Sequence, residues 1–91
     1  MPYILVYHPK VVSSDIPRLA KSAAALIQRA IEQRLIIDPV SYGLPLRAGL
    51  KGYRKMRVSD YRVVYSVVEN QIRIIAIGHR KNIYEFAGSR L

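Results

Sequence analysis

The chain contains no cysteine, which excludes a disulfide framework, thiolate catalysis and cysteine-based zinc sites together. Its two histidines, His8 and His79, stand far apart and offer no metal-ligand spacing, so neither metal nor cofactor is expected. Acidic residues are scarce: six Asp and Glu stand against fifteen Lys and Arg, a formal charge of +9 on 91 residues. A surface of that sign calls for a polyanionic partner, nucleic acid first and an acidic protein second. No apolar run approaches the ~18 residues of a membrane span, and the opening Met1 to Lys10 lacks a basic segment followed by a long apolar one, so a cytoplasmic protein with no membrane partner is expected. What is present is the composition of a folded chain, 51% hydrophobic and 23% charged, and a length that suits one domain over residues 1–91 rather than two.

The charge is not spread evenly. Residues 1–45 hold five Lys and Arg against three Asp and Glu, whereas residues 46–91 hold ten against three, so the second half is expected to carry the binding surface. There Tyr53, Tyr61, Tyr65 and Tyr84 interleave with Arg54, Lys55, Arg57, Arg62, Arg80 and Lys81, a mixture of phosphate donors and aromatic faces suited to single-stranded RNA. In the first half, residues 2–7 are apolar, β-branched and aromatic and end at His8-Pro9, the pattern of a buried strand. A short helix is expected over Lys10 to Leu19, with Ser14 or Asp15 as its cap and Pro17 in the first turn. Ser22 would cap a second helix in which Ala23, Ile27, Ala30, Ile31 and Leu35 make one apolar stripe, with Gln28, Arg29, Glu32 and Gln33 facing water. Asp38-Pro39 ends it, and a loop runs through Gly43, Pro45 and Gly49.

From Tyr53 the period changes to two. Met56 and Val58 form one set, while Tyr53, Lys55 and Arg57 form the other and should be exposed; Arg54 shares the apolar phase. After a tight turn at Ser59-Asp60, Tyr61, Val63, Tyr65 and Val67 face one way and Arg62, Val64, Ser66 and Val68 the other. A third strand, Ile72 to Ile77, follows Glu69-Asn70-Gln71 and ends at Gly78. The expectation is an α+β fold of order β-α-α-β-β-β. Two N-terminal helices pack on one face of a mainly antiparallel, twisted four-stranded sheet, and the other face is left partly open and basic.

RNA is cut without a metal when its own 2′-OH attacks the neighbouring phosphate. That requires a proton acceptor, cations for the phosphorane charge and a donor for the leaving oxygen. Arg57 and Arg62 have the guanidinium geometry for bidentate phosphate contact. A lysine serves as base where neighbouring like charges disfavour its protonated form, which makes Lys55, close to both arginines, a candidate. His79 is a second titrating group near a strand end. Tyr84 offers a stacking face, and Lys51, Tyr53, Arg54 and Lys81 supply further RNA contacts.

The run Leu50-Lys51-Gly52-Tyr53-Arg54-Lys55-Met56-Arg57-Val58-Ser59-Asp60-Tyr61-Arg62-Val63-Val64-Tyr65, followed by Ile77-Gly78-His79-Arg80 and Tyr84, resembles the RelE/ParE toxin superfamily, most closely its RelE branch. The resemblance covers nearly the whole chain. It implies a toxin of a type II toxin–antitoxin pair that enters the ribosomal A site and cleaves mRNA there as a metal-independent endoribonuclease, inhibiting translation. Its implied partners are the ribosome, the mRNA and an acidic, partly disordered antitoxin. Carried over residue by residue, the family pattern makes Lys55 the base candidate, Arg57 its basic neighbour on the strand, Arg62 the phosphate stabiliser, Arg80 a stabiliser or leaving-group donor, and Tyr84 the stacking platform. The strand carries Lys-Met-Arg where a lysine pair can occur, and arginine is a poor proton acceptor, so the base stays open. The seven residues after Tyr84 leave little room for the long C-terminal helix of some relatives. The same architecture also serves a ParE-like branch that inhibits DNA gyrase and cleaves nothing, and a third reading keeps the basic face only for docking the antitoxin. A homodimer and a toxin–antitoxin hetero-oligomer are both compatible with the sequence.

Overall fold

A computed structural model describes residues 3–91; Pro2, which opens the expected strand over 2–7, lies outside them. Strand β1, Ile4–Tyr7, is followed by a wide π turn, Val11–Asp15, that runs into the short α1, Ile16–Arg18. Helix α2, Lys21–Ala30, continues as a second π turn, Ile31–Leu35. Then come β2, Leu44–Pro45, a 3-10 turn at Ala48–Leu50, β3, Arg54–Val58, β4, Tyr61–Val68, β5, Gln71–His79, and α3, Ile83–Ser89. Among the described residues no helix is long and apolar enough to cross a membrane.

The strands lie in the order β1-β5-β4-β3-β2. The three long ones form the antiparallel meander that the alternation predicts, Val58 opposite Tyr61 across Ser59-Asp60 and Val68 opposite Gln71 across Glu69-Asn70. Two features correct the expected four-stranded, mainly antiparallel sheet. β1 runs parallel to β5, with Ile4 opposite Gln71 and Tyr7 opposite Ile74, so the sheet is mixed. β2 adds a fifth strand, Leu44 opposite Lys55 and Pro45 opposite Arg54. Two residues carry no readable period, and a proline is tolerated there because β2 is an edge. β1 is an edge as well, with Ile4, Val6 and Tyr7 exposed, rather than the buried strand expected. A short apolar run has the same pattern in either position.

The stripe of α2 and its π turn packs as read: Ala23, Ile27, Ala30, Ile31 and Leu35 are buried, while Gln28, Arg29, Glu32 and Gln33 are exposed. This helical layer and Val11 cover Met56, Val58, Val63, Tyr65, Ile72, Ile74 and Ile77 on the first face of the sheet. Asp15 stands at the cap position of α1, as expected, but makes no side-chain capping bond. The π turn feeds directly into α1, so the Ile16 N–H already donates to the Val11 carbonyl. Ser22 falls inside α2, whose cap position is Ala20 with no side-chain bond.

Helix α3 is the larger difference, because the sequence pattern gives two helices and a partly open second face. Ile83 and Ala87 are buried there against Val64, Ile75 and Ala76, with Leu46, Leu50, Tyr53 and Phe86 at the rim. A seven-residue helix containing Gly88 is too short to show an apolar period or to stand by propensity, and packing holds it. Gly78 presents bare backbone to it: Ile83 Cδ1 lies 3.4 Å from where a Cβ would stand, so a side chain larger than alanine's would push α3 off the sheet.

A candidate nucleic-acid interface

Strand pairing places the basic residues in rows. Lys55 stands opposite Val64 and Val64 opposite Ala76; Arg57 stands opposite Arg62 and Arg62 opposite Gly78. Positions two apart share a face, so Lys55, Arg57 and Arg62 all belong to the second face, the one that α3 covers in part. Across the intervening row, Met56, Val63 and Ile77 point into the core. Arg62 is half-buried, and its Nη1 donates to the Ser59 carbonyl at 2.9 Å and the Tyr61 carbonyl at 2.8 Å. The backbone N–H of Arg80 donates to the Asp60 carbonyl at 2.8 Å, and its exposed guanidinium lies 3.8 Å from the Asp60 carboxylate. An ion pair so exposed contributes little and opens easily. Three guanidinium-bearing residues therefore gather about the β3–β4 turn. One row along, the Lys55 ammonium lies 5.6 Å from the centre of the Tyr84 ring on α3, a cation–π contact.

The other expected contacts divide. Lys51 and Lys81 are exposed in turns flanking this face, and Tyr53 is half-buried at its rim. Arg54 lies in a first-face row, opposite Tyr65, and its Nη2 donates to the carbonyls of Val40 at 2.7 Å and Gly43 at 2.8 Å. His79 is also in a first-face row, opposite Tyr61. Its Nδ1 accepts from the Lys81 N–H at 3.2 Å, and its ring meets Tyr61 edge-on with centres 5.9 Å apart. The geometry thus brings Lys55, Arg57, Arg62, Arg80 and Tyr84 together and sets Arg54 and His79 apart from them. Between Arg18, Tyr61, His79, Asn82 and Phe86 a cavity of about 270 Å³ adjoins Gly78; Arg18 and Asn82 had no signal in the sequence pattern. An apolar cavity of about 210 Å³ between β1 and the helices, lined by Leu5, Tyr7, Leu19, Ile27 and Ile31, holds none of the expected site residues.

The family described as "ParE toxin of type II toxin-antitoxin system, parDE" matches residues 5–84, and Toxin RelE of Mycobacterium tuberculosis is 32% identical over 83 residues, 86% of each chain. The chain belongs to the RelE/ParE toxin superfamily. It is a RelE-like toxin of a type II toxin–antitoxin system. Solved structures share its fold. The toxin–antitoxin complex RelBE2 of M. tuberculosis matches with a TM-score of 0.80 at 24% identity, covering 88% of this chain and 100% of that one. The RelE–RelB complex of the archaeon Pyrococcus horikoshii matches at 0.67 and 26%, over 88% and 97%. An arginine mutant of E. coli toxin RelE in the free state matches at 0.73 and 20%, over 100% and 99%.

Proposed function

We propose that this RelE-like toxin is a ribosome-dependent endoribonuclease that cuts mRNA in the A site by metal-independent 2′-OH attack, and that an acidic RelB-like antitoxin neutralises it. The observation that carries this reading is the direct opposition of Arg57 and Arg62 on adjacent strands, with Lys55, Arg80 and Tyr84 around them. Like charges directly opposite cost stability, and a phosphate bound between them offsets that cost. In the reaction a bond forms between the 2′-oxygen and phosphorus and the bond to the 5′-oxygen breaks, leaving a 2′,3′-cyclic phosphate and a 5′-hydroxyl. Lys55 is the candidate acceptor of the 2′ proton. Arg57 and Arg62 donate to the non-bridging oxygens as charge builds there. Arg80 stabilises the departing 5′-oxygen, which takes its proton from water. Tyr84 stacks a base so that the 2′-oxygen is aligned with the phosphate, and Lys51, Tyr53 and Lys81 contact the flanking strand. Arg54, in a first-face row opposite Tyr65, stands apart from this group, which favours a structural role for it.

The test is to incubate the toxin with a defined mRNA, with and without programmed ribosomes, and map the cut ends. Arg62→Ala and Arg80→Ala should each lower the single-turnover rate on the order of 10²–10³, about 2.7–4 kcal/mol of barrier by the precedent of single oxyanion donors, while antitoxin binding is retained. Full activity in both variants, or no cleavage by folded wild type, defeats the proposal. The family description also names ParE, which supports gyrase inhibition as a second reading. It predicts blocked DNA supercoiling with the mRNA intact.

A further inference from the structure

β1 accompanies β5 only from Gln71 to Ile74, so the stretch from Ile75 onward has no strand on that side. The buried Ile77 N–H and Ile75 carbonyl need partners there. Two side chains supply them: Asp15 Oδ2 accepts from the Ile77 N–H at 2.9 Å, and Arg90 Nη1 donates to the Ile75 carbonyl at 2.9 Å. The same two side chains close a bidentate pair, Arg90 Nη1 to Asp15 Oδ2 at 2.6 Å and Nη2 to Oδ1 at 2.7 Å, with side chains only 10% and 3% exposed. The hydrogen-bonded carboxylate holds the Arg90 guanidinium's pKa above its ordinary value. Asp15 comes from the π turn ahead of α1 and Arg90 from the end of α3. The pair therefore ties the helical layer on the first face to the helix on the second, around the open edge of β5.

We infer that Asp15 and Arg90 are positioning residues of the proposed cleavage site: their ion pair fixes the C-terminal end of α3 and so keeps Tyr84 over Lys55. The inference rests on the nuclease reading above. α3 has no side-chain cap at Asn82 and is too short to hold itself. Its anchors are Ile83 and Ala87 in the second-face cluster and Arg90 beyond its last turn. Tyr84 is exposed, so its ring goes where the helix carries it. Tyr84 and Arg90 are six residues apart, about 9 Å along a helix. With the far end released, the small Ala87 side chain is all that holds α3 beyond Ile83, so the helix tilts about Ile83 and the ring leaves the Lys55 ammonium.

Removing one partner alone leaves a buried charge unpaired, so the informative variant is Asp15→Asn with Arg90→Met, which keeps an acceptor for the Ile77 N–H. Two measurements decide. The first uses the toxin alone: the Lys55 ε-methylene protons, shifted by the Tyr84 ring current in wild type relative to Tyr84→Leu, should return to the Tyr84→Leu position in the double variant. The second is single-turnover cleavage on programmed ribosomes. The double variant should lose on the order of ten- to a hundredfold in the wild-type background and nothing further in Tyr84→Leu, since coupled residues are not additive. A ring-current shift that persists, or equal losses in both backgrounds, overturns the inference. Wild type that cuts nothing defeats the nuclease reading instead, and the proton shift still decides whether the pair places Tyr84. Should the double variant fail to fold, Arg90→Lys, which keeps the charge without the fork, makes the same comparison and should fall between.

Discussion

Tyr65 is fully buried between β4's neighbours, and its hydroxyl donates to the Pro39 carbonyl. Its ring fills the space that a side chain would need at Gly43, where a Cβ would overlap the phenol oxygen. Arg54 ties the same loop from the neighbouring strand. Tyr65→Phe should therefore cost about 1–3 kcal/mol in denaturant unfolding, one hydrogen bond with its buried acceptor left unpaired. Its pH signature is separable. Burial raises the Tyr65 pKa above its ordinary 10.0, with Arg54 opposing, so the folded state holds this proton more tightly than the unfolded chain. The stability it contributes is complete below the unfolded value and lost as pH rises through the folded one. Midpoints measured from about pH 8 to 11 should fall less steeply at the alkaline end in Tyr65→Phe. The remaining slope includes Tyr7, whose pKa is raised by partial desolvation beside the helices and by Glu32. Period two was enough to give Tyr65 its core face and Lys55, Arg57 and Arg62 a common one. It was silent on Pro39, Val40 and Gly43, because those partners lie 11 to 26 residues back in the chain, and no local pattern carries such a pairing.

At the scale of elements, the meander and the long helix were legible because each repeats its period over several turns or pairs. β2 and α3 were not, being two and seven residues long and held by neighbours distant in sequence; the open second face was misread for the same reason. The hairpins carry their own test. Ser59 and Glu69, each first of a two-residue turn, have φ of 55° and 56°, the half of φ space that favours glycine. A non-glycine residue there costs roughly 1–2 kcal/mol, of which glycine's greater unfolded freedom returns about 0.5–1. Ser59→Gly and Glu69→Gly should each stabilise by about 0.5–1 kcal/mol, read as a higher denaturant midpoint at unchanged slope. Ser59→Gly should leave the site intact, since Arg62 bonds the backbone carbonyl there and not the side chain.

At the scale of the whole molecule, the formal charge of +9 overstates what an anion meets. Arg90 is neutralised inside by Asp15, and Arg54 lies in a first-face row opposite the buried Tyr65. Lys51, Lys55, Arg57, Arg62, Arg80 and Lys81 remain around the second face and its flanking turns. If each meets one phosphate, binding to single-stranded RNA should weaken with salt at a log–log slope of about −4.2, from about −0.7 per phosphate neutralised. Arg57→Ala should make the slope shallower by about 0.7. Arg54→Gln should leave it unchanged while lowering stability, which separates the two residues that composition alone treats alike. A slope near zero would mean that the opposed Arg57 and Arg62 face something other than phosphate. A slope much steeper than about −4.2 would bring basic residues outside this face into contact, and the footprint would then extend beyond β3, β4 and α3.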